Sequence, residues 1–268
     1  FPIYDFDDVA VENTISKMAD HVHFYNSHMS ICLMPFVPPF PGYEINASRA
    51  TAMDNTGSVD MFFSDKVGSG GADFKRDILL ATQNYEQLSI QQIHDMIEMY
   101  ANRVLFYKNL GFDMATLHFA YRVTLFARFL SPATNFRTDE YGGSVENRCR
   151  FMKELCTRIK ELCGRDFPIE VEISGDESAF GGYDVNEFVE IGRQVQDVVD
   201  IFQVRYGSAN GHHPTPFNSR EHEYLTLPYC EALKKAGVNI LAELIGGCQV
   251  PSEADEIIAS GKADLIGG

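Results

Sequence analysis

The chain has 268 residues, 45% of them hydrophobic, and a formal charge of -16 from 22 Lys and Arg against 38 Asp and Glu. That length supports one large core of the size single α/β barrels commonly reach, and the negative field excludes long-range attraction to nucleic acid or to an anionic membrane. No apolar run approaches the roughly 20 residues that cross a bilayer and no basic segment followed by an apolar one opens the chain, so a cytoplasmic location is expected.

Asp7 to Asn26 is predicted helical, with Val11, Ile15, Met18, Val22 and Tyr25 at three- and four-residue spacing. Met29 to Phe36 is a short apolar strand ended by Pro35 and the Pro38-Pro39 pair. Phe40 to Leu88, which contains Gly57, Gly68, Gly70 and Gly71, reads as a lid or substrate loop. Ser89 caps a helix whose apolar set is Ile93, Ile97, Tyr100, Val104 and Tyr107 and which ends at Gly111. Met114 to Phe119 is a strand that delivers His118 into an irregular segment rich in Arg, Asp, Asn and Gly. Ser144 caps a helix running to Cys163, and Phe167 to Ser174 is a strand interrupted by Glu170 and Glu172. Beyond it follow a helix from Asp184 to Val198, a strand from Asp200 to Tyr206 and a helix from Leu227 to Ala236. Val238 to Ile245 is a strand, Pro251 to Ser260 a helix, and Ala263 to Ile266 opens a last strand.

Strands alternating with helices at this spacing predict a parallel α/β sheet with right-handed crossovers. Six strands are two short of a closed (β/α)8 TIM barrel. Because the chain starts at Phe1 and stops at Gly268 inside an apolar run, both ends read as cut. An incomplete barrel lacking its first two strands, one domain over residues 1–268, is the expected fold.

The cysteines Cys32, Cys149, Cys156, Cys163, Cys230 and Cys248 form no C-x-x-C pair, so no metal site is expected. Cys149, Cys156 and Cys163 share one helix face and read as core packing. A polar residue at the carboxyl end of a strand, before a long loop, is where α/β enzymes place their chemistry. His118 holds that position.

The segment RFLSPATNFRTDEYGGSVENR, Arg128 to Arg148, resembles the signature of the old yellow enzyme family, the FMN-dependent ene-reductases and NADH:flavin oxidoreductases built on a TIM barrel. Weaker likeness runs through ISGDE at Ile173 to Glu177, GGY at Gly181 to Tyr183, and LIGG and SGKADLIGG towards the end. The resemblance implies barrel strands three to eight, FMN as cofactor, NADH or NADPH as reductant, and a small unsaturated substrate. It assigns His118, with Tyr121 in the place of the usual second His or Asn, to donate hydrogen bonds to the substrate's electron-withdrawing group, as an oxyanion hole does. The family's usual proton-donating Tyr falls on Val123, so the proton comes from Tyr121, Tyr183 or Tyr206. Arg122 stands beside the pair and suits a substrate carboxylate, or is a solvated loop residue. Gly246 and Gly247, with Gly267 and Gly268, occupy the positions of the FMN phosphate site.

Two positions depart from the family. Glu172 replaces the arginine offered to the flavin N1 and O2 edge, and Cys32 replaces a glutamine offered to its pyrimidine ring. An anion in place of that cation disfavours reduced flavin unless it is protonated or paired; a 4 Å charge pair is worth roughly 4 kcal/mol at an effective dielectric of about 20. The main reading is hydride transfer from NAD(P)H through flavin to an activated C=C bond of enoate or enone type. The alternatives are a flavin-free barrel of the same ancestry that binds or scaffolds, and a phosphate-binding isomerase or aldolase barrel. In the loop RTDEYGG, Asp139, Glu140 and Arg148 are expected to form ion pairs, and Gly142-Gly143 a turn. His212 and His213 are expected on the same rim as His118, with no third ligand for a metal.

Overall fold

In the strand Met114–Phe119 the side chains alternate between two environments, as the two-residue period requires. Ala115, Leu117 and Phe119 are buried in the apolar core, while Thr116 and His118 face the other way among polar groups. The same division repeats in Ile169–Ser174, where Ile169, Val171 and Ile173 join the core and Glu170, Glu172 and Ser174 occupy the opposite face. The two glutamates that interrupt an otherwise apolar strand are therefore inner-face residues. The helix-facing side stays continuous.

A computed structural model describes residues 9–35, 87–121, 124–177, 181–206 and 224–267. Among them the order is α1 Val9–Phe24, β1 Ser30–Leu33, α2 Ile90–Asn109, β2 Met114–Phe119, α3 Leu125–Leu130, α4 Val145–Cys163 and β3 Ile169–Ser174, then α5 Val185–Val195, β4 Ile201–Arg205, α6 Leu227–Lys235, β5 Leu241–Ile245, α7 Pro251–Ala259 and β6 Leu265–Gly267. The six strands form one parallel sheet in the order β1-β2-β3-β4-β5-β6. A doubly wound sheet reverses its strand order at a switch point; an uninterrupted sequential order is that of a barrel wall. The described strands form a partial TIM barrel, as expected.

Local chemistry sets the helix ends. Ser89 accepts from the Gln92 N–H while the Gln92 side chain accepts from the Ser89 N–H, a complete capping box. Ser144 accepts from the Asn147 N–H to begin α4, and Asp184 accepts from the N–H groups of Asn186 and Glu187 to begin α5. Cys149, Cys156 and Cys163 are buried on the inner face of α4, as their spacing predicts, and burial pushes the Cys149 thiol up to about 12.

The short helix α3 was not expected; the stretch after His118 reads as irregular because six residues are too few to show a period. It forms because Thr124 accepts from the Ala127 N–H at its start and because Phe126 and Phe129 are buried against α4. The Phe129 and Phe151 rings stack at 4.4 Å, and Phe126 lies 5.2 Å from Phe119. The expected lid over Phe40 to Leu88 lies outside the described residues as far as residue 86.

Candidate active site

Parallel strands place all their carboxyl ends on one rim, where α/β barrels assemble their reaction centres. His118 is the penultimate residue of β2 and pairs in register with Glu172 on β3. Its Nε2 lies 3.4 Å from Glu172 Oε2, with both side chains under a tenth exposed. Nδ1 is buried and has no hydrogen-bond partner among the described residues. Lost solvation lowers the affinity of the imidazole for a second proton, Glu172 opposes that fall and Arg205 adds to it, the net direction favouring the neutral ring.

Tyr121 follows at a left-handed φ of 67°, a conformation a tyrosine adopts only when its surroundings hold it. Its N–H donates to Ser174 Oγ at 3.1 Å, and its ring lies 5.7 Å from that of His118. Lost solvation raises its phenol above the usual range, and the neighbouring Arg205 guanidinium opposes that rise. The structure thus brings the two predicted donors together at one strand end. Thr124 secures that end by donating to the His118 carbonyl at 2.7 Å, and the Leu125 N–H reaches the Pro35 carbonyl after β1 at 2.7 Å.

Glu172 is the hub. Arg205, the last residue of β4, donates to its Oε2 from Nε at 3.1 Å and from Nη2 at 2.8 Å. The Cys32 thiol on β1 donates to Oε1 at 3.7 Å; Cys32 keeps an exposed face, but lost solvation of the sulfur and the neighbouring carboxylate push its thiol up to about 12. The sequence expectation treats Glu172 as an uncompensated anion unless it is paired. It is paired, and sequence reasoning missed its partner. The signal was present in IFQVR, where Gln203 and Arg205 alternate onto the inner face and Arg205 closes the strand.

Tyr183, one of the tyrosines expected to supply a proton, is 1% exposed and donates its hydroxyl to the Ser174 carbonyl at 2.9 Å. It braces the end of β3 from within the core. Tyr206 follows β4 directly and is partly exposed. Arg122, His212, His213 and Gly268 lie outside the described residues.

At the far side of the rim, Gly246 and Gly247 leave β5 with φ of 83° and 78°, and no atom lies within 4 Å of a Cβ built on Gly246. That open left-handed turn lets backbone N–H groups approach an anion closely. Gly267 stands beside it on β6, where a Cβ would meet Glu243 Oε1 at 2.5 Å.

Asp139 and Arg148 form ion pairs that fix the loop between α3 and α4, as expected. Asp139 takes two bonds from Arg137, at 3.0 and 2.6 Å, while Arg148 reaches Glu187 at 2.7 Å and the carbonyls of Leu130 and Gly143 at 2.9 and 2.6 Å. Glu140 contributes its carbonyl, which accepts from Arg150 at 2.7 Å. Asn135 donates to the carbonyls of Phe129 and Tyr141, and Gly143 turns at a φ of 84°.

Residues 4–268 match the model of the NADH:flavin oxidoreductase / NADH oxidase family. The chain belongs to this family. It is 35% identical over 188 residues to an NADH oxidase of Thermoanaerobacter brockii, covering 70% of this chain and 28% of that protein. It is 30% identical to a cinnamate reductase of Clostridium sporogenes, covering 67% and 29%, and 30% identical to an NADPH dehydrogenase of Bacillus pumilus, covering 67% and 51%. Among solved structures, a 2-naphthoyl-CoA reductase complex superposes with a TM-score of 0.61 at 26% identity over 68% of this chain and 27% of that one. The chain thus spans between about a quarter and a half of the relatives it matches. Within the NADH:flavin oxidoreductase family, the His118 to Tyr121 strand end and the Gly246-Gly247 turn are this chain's candidate substrate and phosphate positions.

Proposed function

We propose that the chain is a partial TIM-barrel domain of an FMN-dependent oxidoreductase that passes hydride from NADH or NADPH to an activated C=C bond of an enoate or enone. The observation that carries this reading is the convergence of His118 and Tyr121 on one rim with an open glycine turn. The relative named cinnamate reductase supports the enoate form.

The residues present fit FMN. The open turn at Gly246 and Gly247 leaves room for its phosphate, although the Gly246 N–H already donates to the Gly267 carbonyl at 3.4 Å. Arg205 supplies, from the neighbouring strand, the cation that β3 does not carry, and its pairing offsets the charge of Glu172. When bound, FMN supplies the hydride chemistry. His118 and Tyr121 then orient the acceptor and stabilise the negative charge that gathers on its oxygen. Arg122 is proposed to meet a substrate carboxylate, and Tyr121 or Tyr206 to return the proton.

The flavin-free alternative loses its main support once Glu172 is paired. The phosphate-binding alternative requires an inner-face base or a Schiff-base lysine, and no described strand carries the lysine that aldolase chemistry needs. No described helix is long and apolar enough to cross a membrane; a cytoplasmic location is part of the proposal. The test is spectroscopic: the purified protein with FMN shows flavin absorbance that NAD(P)H bleaches without oxygen and that an enoate restores. A protein that retains no flavin absorbance once excess FMN has been removed by gel filtration overturns the reading.

A further inference from the structure

The placing of Tyr121 beside His118 runs against strand parity. Side chains three residues apart in a strand stand on opposite faces. His118 is on the inner face of β2, so Tyr121 would stand on the helix-facing side if the strand ran on. Instead β2 ends at Phe119 and Tyr121 takes a left-handed φ of 67°, which returns its ring to 5.7 Å from that of His118. Such a backbone costs a residue with a Cβ roughly 1 to 2 kcal/mol, and it persists only where its surroundings fix it.

Ser174 supplies the fixing bond. The Tyr121 N–H donates to its Oγ at 3.1 Å, across the boundary between β2 and β3. Ser174 is fully buried, ends β3 and shares the inner face with Glu170 and Glu172. Its own position is tied down on two sides. Its carbonyl accepts from the Tyr183 hydroxyl at 2.9 Å, and the Tyr183 carbonyl in turn accepts from the Glu177 N–H at 2.8 Å. The next residue, Gly175, donates its N–H to the Arg205 carbonyl on β4 at 3.0 Å. A rigid strand end therefore presents one acceptor oxygen to the turn that carries the phenol. We propose that Ser174 is a positioning residue for the reaction centre, its hydroxyl oxygen holding the left-handed turn at Tyr121 and so keeping the phenol on the same face as His118. Ser174 does not touch substrate; it acts through Tyr121. Alanine in its place would leave the Tyr121 N–H without that acceptor and the turn free to relax towards an ordinary backbone.

The turn part of the inference stands on geometry alone; the rate part rests on the alkene-reductase reading. Two readouts separate them. Amide hydrogen exchange in the protein labelled at its tyrosine nitrogens, with Tyr121→Phe giving the assignment, should show the Tyr121 N–H protected in the wild type and exchanging about 10-fold faster in Ser174→Ala and Ser174→Cys. Cysteine nearly conserves the volume but is a weak acceptor, so it separates the bond from packing; Ser174→Thr keeps the oxygen and should retain the protection. In the FMN-saturated protein Ser174→Ala should lower kcat for enoate reduction about 10-fold with KM little changed, and Ser174→Thr should recover most of the loss. In a Tyr121→Phe background Ser174→Ala should cost less than about 2-fold, because the hydroxyl that Ser174 positions is already gone. A purely structural role would cost the same in both backgrounds. A Tyr121 amide whose exchange ignores Ser174→Ala, or a loss of kcat as large in the Tyr121→Phe background as in the wild type, overturns the proposal. A Ser174-dependent amide in a protein that reduces no alkene overturns the functional reading and leaves the turn assignment standing.

Discussion

Glu172 on β3 and Arg205 on β4 are joined by two hydrogen bonds to one carboxylate oxygen, at 3.1 and 2.8 Å, although they are not register partners. A buried carboxylate in that place is tolerable because its neighbours are donors.

Removing the cation should therefore cost stability. Arg205→Met leaves a carboxylate that is 9% exposed without its counter-ion, and the expected loss is about 2 kcal/mol. That is below the ~3–5 kcal/mol of a fully buried pair because Arg205 itself is 27% exposed. The double variant Arg205→Met with Glu172→Met should recover most of it. Urea denaturation of the three proteins measures both; a double variant as unstable as the single one would show that the lost charge pairing is not the cause.

His118→Ala and Tyr121→Phe should each lower enoate reduction about 100-fold, the scale of losing one oxyanion donor. Both should retain FMN, because neither belongs to the glycine turn or to Arg205. Turnover and flavin absorbance on the same preparation check the pair of statements together, and unreduced turnover in either variant removes that donor's role.

Glu243 should make the fold weaker in alkali. Burial first, and then the hydrogen bond and charge of Glu170, raise its carboxyl to about 7 from an ordinary 4.5. A folded-state value above the unfolded one means the stabilising contribution is complete below the unfolded pKa and lost as pH rises through the folded one. Stability should fall between about pH 5 and pH 8 on this account, and Glu243→Gln should flatten the fall. Thermal midpoints across that range decide it, a variant with the same slope as the wild type counting against Glu243.

Two glycines with opposite surroundings should respond differently to alanine. At Gly142 a Cβ would stand 2.2 Å from the Arg137 carbonyl oxygen, so the turn of the signature loop must open, at about 2 to 3 kcal/mol. At Gly261, with φ of 67°, nothing lies within 4 Å, and the cost is that of a left-handed alanine, about 1 kcal/mol. Equal losses of denaturation midpoint would contradict this ordering.

Much of the molecule is legible without coordinates. The caps Ser89, Ser144 and Asp184 mark helix starts because their side chains bond N–H groups two or three residues away, a relation contained in the sequence itself. The strand that carries His118 is legible for the same reason, since alternation is local. The short α3 is not, because its support comes from α4. Tyr183 shows what packing adds: a tyrosine in a family-like GGY looks available, and the fold bonds its hydroxyl to the Ser174 carbonyl.

Sequence alone determined the order of the described strands and of every described helix but α3, the family, and the placing of His118 and Tyr121 at one strand end, because each depends on spacing along the chain. Tertiary structure decided what surrounds them. Glu172 and Arg205 are 33 residues apart and meet because parallel strands lie side by side, with the inner-face alternation bringing Cys32, His118 and Arg205 around one carboxylate. Charge compensation between neighbouring strands is a property of register, and register is set by the fold.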